Sequence, residues 1–168
     1  MKNAFAVLFA TFALALCAPL ALAQDGKPDE NSVAWVREED AEMNAAIASA
    51  RAALPACWAA REAQRGQGFM VKAALRTTTG GIEHIWVDNL RRENSRVTGN
   101  LANEPLDLAG MTRGSEVTFG EEEISDWVVF REGRVYGDYT TRVLFVRMSD
   151  DERARYLPYI NALSDGLP

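Results

Sequence analysis

Gly81-Ile82-Glu83-His84-Ile85-Trp86-Val87 sets the only histidine of the chain among β-branched and aromatic residues. Such residues favour a pleated, half-buried backbone, so the stretch reads as a central strand. Ile124-Ser125-Asp126-Trp127-Val128-Val129-Phe130 has the same polar-aromatic character and is its natural partner in a sheet. Alternation along the first strand puts Ile82, His84 and Trp86 on one face and Glu83, Ile85 and Val87 on the other.

Outward from these two strands, turn residues divide the chain. Phe69 to Arg76 reads as a strand, and Thr77-Thr78-Thr79-Gly80-Gly81 makes it a hairpin with the central strand. Arg96 to Leu101 returns antiparallel, with Gly99 as the expected bulge, and Asn103-Glu104-Pro105 stops it. Ser115 to Phe119 forms a short strand, and Glu132-Gly133 turns Ile124 to Arg131 back into Arg134 to Tyr136. Before the strands, Met43, Ile47, Ala50, Leu54 and Cys57 fall on one helical stripe opened by Asp40 as N-cap. Pro55 interrupts that stripe, so a kinked or broken pair of helices is expected. After the strands, Asp138 can cap a segment carrying Val143, Leu144 and Val146. Ser149 and Glu152 form a capping box for a last helix, bent or stopped near Pro158. The expected fold is α+β: an N-terminal helix pair, a curled antiparallel sheet of five or six short strands tending to a small open barrel, and C-terminal helices.

The chain has 168 residues, 48% hydrophobic and 25% charged, which suits one soluble globular domain. Lys2, the apolar run Ala4 to Leu16 and the small-residue site Ala21-Leu22-Ala23 read as an export signal cut after Ala23. The expected organisation is signal 1–23, flexible tether 24–39 and one domain 40–168, delivered to the periplasm with no stable membrane insertion after cleavage. Cys17 is not expected to be lipidated, because the bulky Leu16 precedes it. Loss of Lys2 with the signal takes the formal charge from −6 to −7. With no basic cluster longer than Arg91-Arg92, nucleic acid is not an expected partner. Cys57 is then the one remaining cysteine, so the domain must stand on its core without an internal disulfide.

Glu83-His84-Ile85-Trp86-Val87, Gly99-Asn100-Leu101-Ala102-Asn103-Glu104-Pro105 and Ile124-Ser125-Asp126-Trp127, in that order, resemble the YegJ-like family of uncharacterised bacterial proteins. The resemblance runs from about Asp40 to Leu144 and implies a compact domain, but no activity, cofactor or catalytic residue. Where the family suggests an aromatic residue this chain has Cys57, which implies a core position for the thiol.

The chemistry-bearing residues offer no common catalytic arrangement. One histidine without a cysteine pair cannot assemble an ordinary zinc site, and consecutive Glu121, Glu122 and Glu123 lack the spacing of a calcium loop. Gly99, Gly110, Gly114 and Gly120 punctuate turns and form no phosphate loop, so no cofactor or metal is expected. Asp126 lies in an apolar run and needs a partner if buried, and Arg142 is the cation expected to pair with it. His84, Trp86, Asn103, Asp126, Trp127 and Arg142 are therefore the candidate lining of a ligand or partner surface. The expected function is a non-catalytic binding module for an envelope protein or small ligand. A hydrolase with His84 or Asp126 as general base is the alternative, and an inhibitor or immunity-like protein fits the acidic charge and small size.

Overall fold

In the computed structural model, residues 4–8, 33–37 and 40–167 are described. The remainder of the expected signal and tether lies outside the described residues. Within those two stretches, Ala4–Leu8 (β1) and Val33–Arg37 (β2) have strand backbone. The domain then runs through α1 (Ala41–Glu62), β3 (Gln67–Arg76), β4 (Ile82–Glu93), β5 (Arg96–Leu101), β6 (Glu116–Gly120), β7 (Ile124–Arg131) and β8 (Arg134–Gly137). It closes with α2 (Tyr139–Arg147), α3 (Asp150–Ala162) and the two-residue β9 (Leu163–Ser164).

The fold class is α+β as expected, but the expected five or six strands become nine among the described residues, β3 stands between β4 and β7 where direct pairing was expected, and the helix pair is corrected to one continuous helix. Asp40 opens α1 by accepting the Met43 N–H at 3.0 Å. Pro55 then sits inside 22 helical residues. It is exposed, so the Arg51 carbonyl that it leaves without a helical donor lies on the side that water reaches, and Leu54, Cys57 and Trp58 hold both halves on the sheet. Pro158 likewise lies on an exposed side, within the continuous α3.

The main sheet order is β2-β1-β4-β3-β7-β8-β9, with β5 pairing β4 and then β6. The sheet remains open, and it is mixed rather than purely antiparallel because β1 runs parallel to β4 and β9 parallel to β8. Its irregularities follow local chemistry. Asn89, at φ 48°, marks a bulge in β4 between Asp88 and Arg91. Gly99 is not the bulged residue but lies opposite the bulge, where a side-chain carbon would collide with the Asp88 carbonyl.

Both faces of the sheet are covered. Val71, Ala73, Ile85, Val87, Trp127 and Val129 pack on Ala50, Leu54, Cys57 and Trp58 of α1. On the opposite face, Met70, Trp86, Val128 and Val135 meet Tyr159, Ala162 and Leu163 from α3 and β9. Alternation along β4 therefore predicts correctly that Trp86 faces away from Ile85 and Val87, while Ile82 packs with Met43 and Leu144. The smaller cluster of Met43, Leu144, Ile47, Val143 and Met148 joins α1 to α2.

Candidate functional site

The strand registers bring two charged residues, Lys72 and Asp126, side by side on the α3 face. Lys72 lies opposite Trp86 on one side and Asp126 on the other. Lys72 is fully buried, with Nζ 4.5 Å from the Trp86 ring centroid and donating to Thr140 Oγ1 at 2.6 Å. The Thr140 hydroxyl in turn donates to Asp126 Oδ2 at 2.6 Å, which completes a relay from ammonium to carboxylate.

Asp126 has no solvent exposure and accepts three backbone N–H groups besides that hydroxyl: Trp127 at 2.9 Å and Tyr139 at 3.1 Å on Oδ1, and Thr140 at 2.8 Å on Oδ2. Tyr139 and Thr140 open α2, so Asp126 caps that helix from a strand. The residue expected to cap it, Asp138, adopts the left-handed conformation at φ 51° and makes no side-chain cap. Its carboxylate instead accepts Thr141 Oγ1 at 2.6 Å and the Tyr159 hydroxyl at 2.7 Å, tying α2 to α3. The expected pairing of Asp126 with Arg142 is also corrected. Arg142 donates to Asp165 Oδ1 at 2.9 Å and to the Ser164 carbonyl at 3.0 Å, while Lys72 is the cation whose field acts on Asp126. Arg142 is half-buried and turned to the Ser164–Asp165 segment, whereas Lys72 shares the strand register of Asp126.

His84 joins the same network through a second irregularity. The β3–β7 register shifts between Lys72 and Ala73, leaving Ser125 as an extra residue. Ser125 Oγ donates to the Lys72 carbonyl at 3.1 Å and lies 2.8 Å from His84 Nδ1. With the hydroxyl proton committed to that carbonyl, His84 is the donor, which assigns the neutral tautomer protonated at Nδ1. Burial, then the Lys72 and Arg51 charges, push the His84 pKa down to about 3. Burial, reinforced by the Asp138 carboxylate and opposed by Lys72, raises Asp126 to about 6. Lys72 is lowered by burial, against the pull of both carboxylates.

Of the six residues read as a surface, His84, Trp86, Asn103, Asp126 and Trp127 are buried. They do not lie together either: Trp127 faces α1, its Nε1 donating to the Ala50 carbonyl at 2.9 Å. Two members of the network were missed in the sequence. Lys72 follows Met70 on the inward phase of an apolar strand, and that phase was its available signal. Thr140 has no signal of its own, because its role depends on where α2 begins in space. Glu83 is a further buried carboxylate, accepting the Leu106 and Asp107 N–H groups at 2.9 and 3.0 Å.

An open recess exists elsewhere, on the α1 side. A groove of about 520 Å³ is lined by Arg51, Leu54, Trp58, Glu62, Arg92 and Glu121, among others. Arg92 lies 5.3 Å from the Trp58 ring centroid and bridges to Glu121 at 3.2 Å, and Trp58 Nε1 donates to Glu121. Cys57, which precedes Trp58 in α1, is buried in the core, and burial pushes its pKa up to about 12.

Residues 40–160 match the family model described as an uncharacterized protein conserved in bacteria, DUF2314. The chain is 33% identical over 84 residues to the uncharacterized protein YegJ of Escherichia coli K12, covering 50% of this chain and 54% of that protein. It is 31% identical over 74 residues to a putative ankyrin repeat protein of Neisseria meningitidis serogroup B, covering 44% of this chain and 29% of that protein. The chain thus spans about half the length of the first relative and under a third of the second. No solved structure matches it.

Proposed function

The chain belongs to the DUF2314 family of proteins conserved in bacteria, and we propose that it is an exported, non-catalytic module that binds a small ligand or an envelope protein in the Trp58–Arg92 groove. The observation that carries this reading is the ordered floor of that groove. Arg92 is held over Trp58 while Glu121 engages both, so aromatic surface and charges of both signs are presented with side chains already fixed. Export is supported by Lys2, the apolar run after it and the Ala21-Leu22-Ala23 site. No helix among the described residues is long and apolar enough to cross a membrane.

The hydrolase alternative asks His84 or Asp126 to act as a base. Both are buried, and the Asp126 oxygens accept four hydrogen bonds from the protein itself, which weighs against proton exchange with a substrate. An inhibitory or immunity-like role remains a special case of partner binding, favoured by the acidic charge.

Affinity capture from envelope extract, with wild type and Arg92→Ala side by side, tests the proposal. A partner or ligand held by wild type and lost from a folded Arg92→Ala protein supports it. Retention on both proteins, or turnover in a hydrolase panel that disappears in His84→Asn, overturns it.

A further inference from the structure

The expected export signal contains one of the strands of the sheet. β1 (Ala4–Leu8) stands between β2 and β4, antiparallel to the first and parallel to the second. Cleavage after Ala23 would take β1 away, leaving β2 without its partner and the outer edge of β4 without a neighbour at Glu83 and His84. Beyond that point the same edge is occupied: β5 pairs with β4 from Val87 onward, and the Ala102 N–H donates to the Trp86 carbonyl at 2.8 Å. An open strand edge is a template for another strand.

We infer that β1 is a placeholder, and that in the processed chain β2 moves in by one strand position and pairs directly with the His84 edge of β4. The inference rests on the export reading, and three relationships point to it. First, direction is already right: β2 is antiparallel to a strand that is parallel to β4, so it pairs antiparallel without reversing. Second, register is already right. Ala6 faces both Trp35 and Glu83, and Val7 faces both Ala34 and His84, so a purely lateral move sets Trp35 opposite Glu83 and Ala34 opposite His84. Third, the connection is long enough. Neighbouring strands lie about 4.8 Å apart, and the link from Arg37 to the Asp40 cap of α1 spans roughly 10 Å when extended. Val33-Ala34-Trp35-Val36-Arg37 is also rich in residues that favour strands. The move would replace a parallel edge pair with an antiparallel one and leave the mature sheet one strand narrower.

The experiment is NMR and amide exchange on the protein beginning at Gln24, with intact mass of the protein made in cells from the full sequence as a separate arm. Mass reports whether processing occurs. An unprocessed product counts against the export reading alone, because the Gln24 protein still reports the strand move. The expected result is cross-strand contacts at Trp35–Glu83 and Ala34–His84, with amides in 33–37 exchanging about 100-fold more slowly than in an unstructured peptide. Ala34→Pro should abolish that protection, and the protection of the β4 edge, while the β3–β7 core stays protected. Exchange of 33–37 at unstructured rates, strand contacts supplied by a second molecule, or unfolding of the Gln24 protein overturns the inference.

Discussion

Asp126 accepts both the backbone N–H and the hydroxyl of Thr140, at 2.8 and 2.6 Å, although the two residues lie fourteen positions apart on a strand and a helix. Replacing Asp126 by Asn puts an amide donor among four donors and leaves at least one without an acceptor. Relief of the buried charge acts in the opposite direction, and increasingly so as pH rises through about 6. Asp126→Asn should therefore lose about 1–3 kcal/mol in urea unfolding, with α2 the first element to lose helical signal. An Asn variant as stable as wild type would remove Asp126 from its role as the cap.

Lys72 and Asp126 should behave as a coupled pair. Lys72→Met leaves the carboxylate buried without its cation and is expected to cost about 3–5 kcal/mol. The double variant Lys72→Met/Asp126→Asn should cost clearly less than the two single losses added together. Additive losses in the double-mutant cycle would mean that the Thr140 relay carries no energetic coupling between them.

The pH dependence of stability contains two opposed contributions. Asp126 has its folded pKa raised from 3.8 to about 6, so its contribution is present below pH 3.8 and is lost as pH rises through about 6. His84 has its folded pKa depressed from 6.5 to about 3, so its contribution is present above pH 6.5 and is lost as pH falls through about 3. Between these limits the two slopes offset each other. Urea midpoints should show the gap between wild type and Asp126→Asn narrowing from pH 4 to pH 6, and the gap between wild type and His84→Asn widening over the same range. Parallel profiles for all three proteins would contradict both assignments.

Cys57, the only cysteine from Gln24 onward, is buried and has its pKa pushed up to about 12. Thiolate is the reactive form, so a small disulfide reagent should leave the folded protein unmodified and label it fully in urea. Labelling of the folded protein at the rate of a free thiol would place Cys57 outside the core.

The strands were legible because their signals are local. His84 and Trp86 alternate with Glu83, Ile85 and Val87, and this phase alone predicts which face each takes. The helices were harder, since Pro55 and Pro158 are helix breakers by local chemistry yet lie on exposed sides, where packing of their neighbours outweighs one lost hydrogen bond. The polar network was half legible. Asp126 declared itself as a charge in an apolar run, but its partners depend on the β3–β7 register and on a bulge at Ser125, both properties of paired strands. The groove at Trp58 and Arg92 was not legible, because its walls come from α1, β4 and the Glu121–Glu123 turn, which meet only in the folded chain.

A helix capped from a strand has no independent existence. α2 is nine residues long and carries two threonines and two valines, too short and too β-branched to hold itself in water. Its first two amides are satisfied by a carboxylate that arrives only when β7 is seated beside β3. Helix and strand should then open as one foldon, so that the Tyr139 and Thr140 amides exchange at the rate of the slowest amides in β7 and never by fraying of the helix alone.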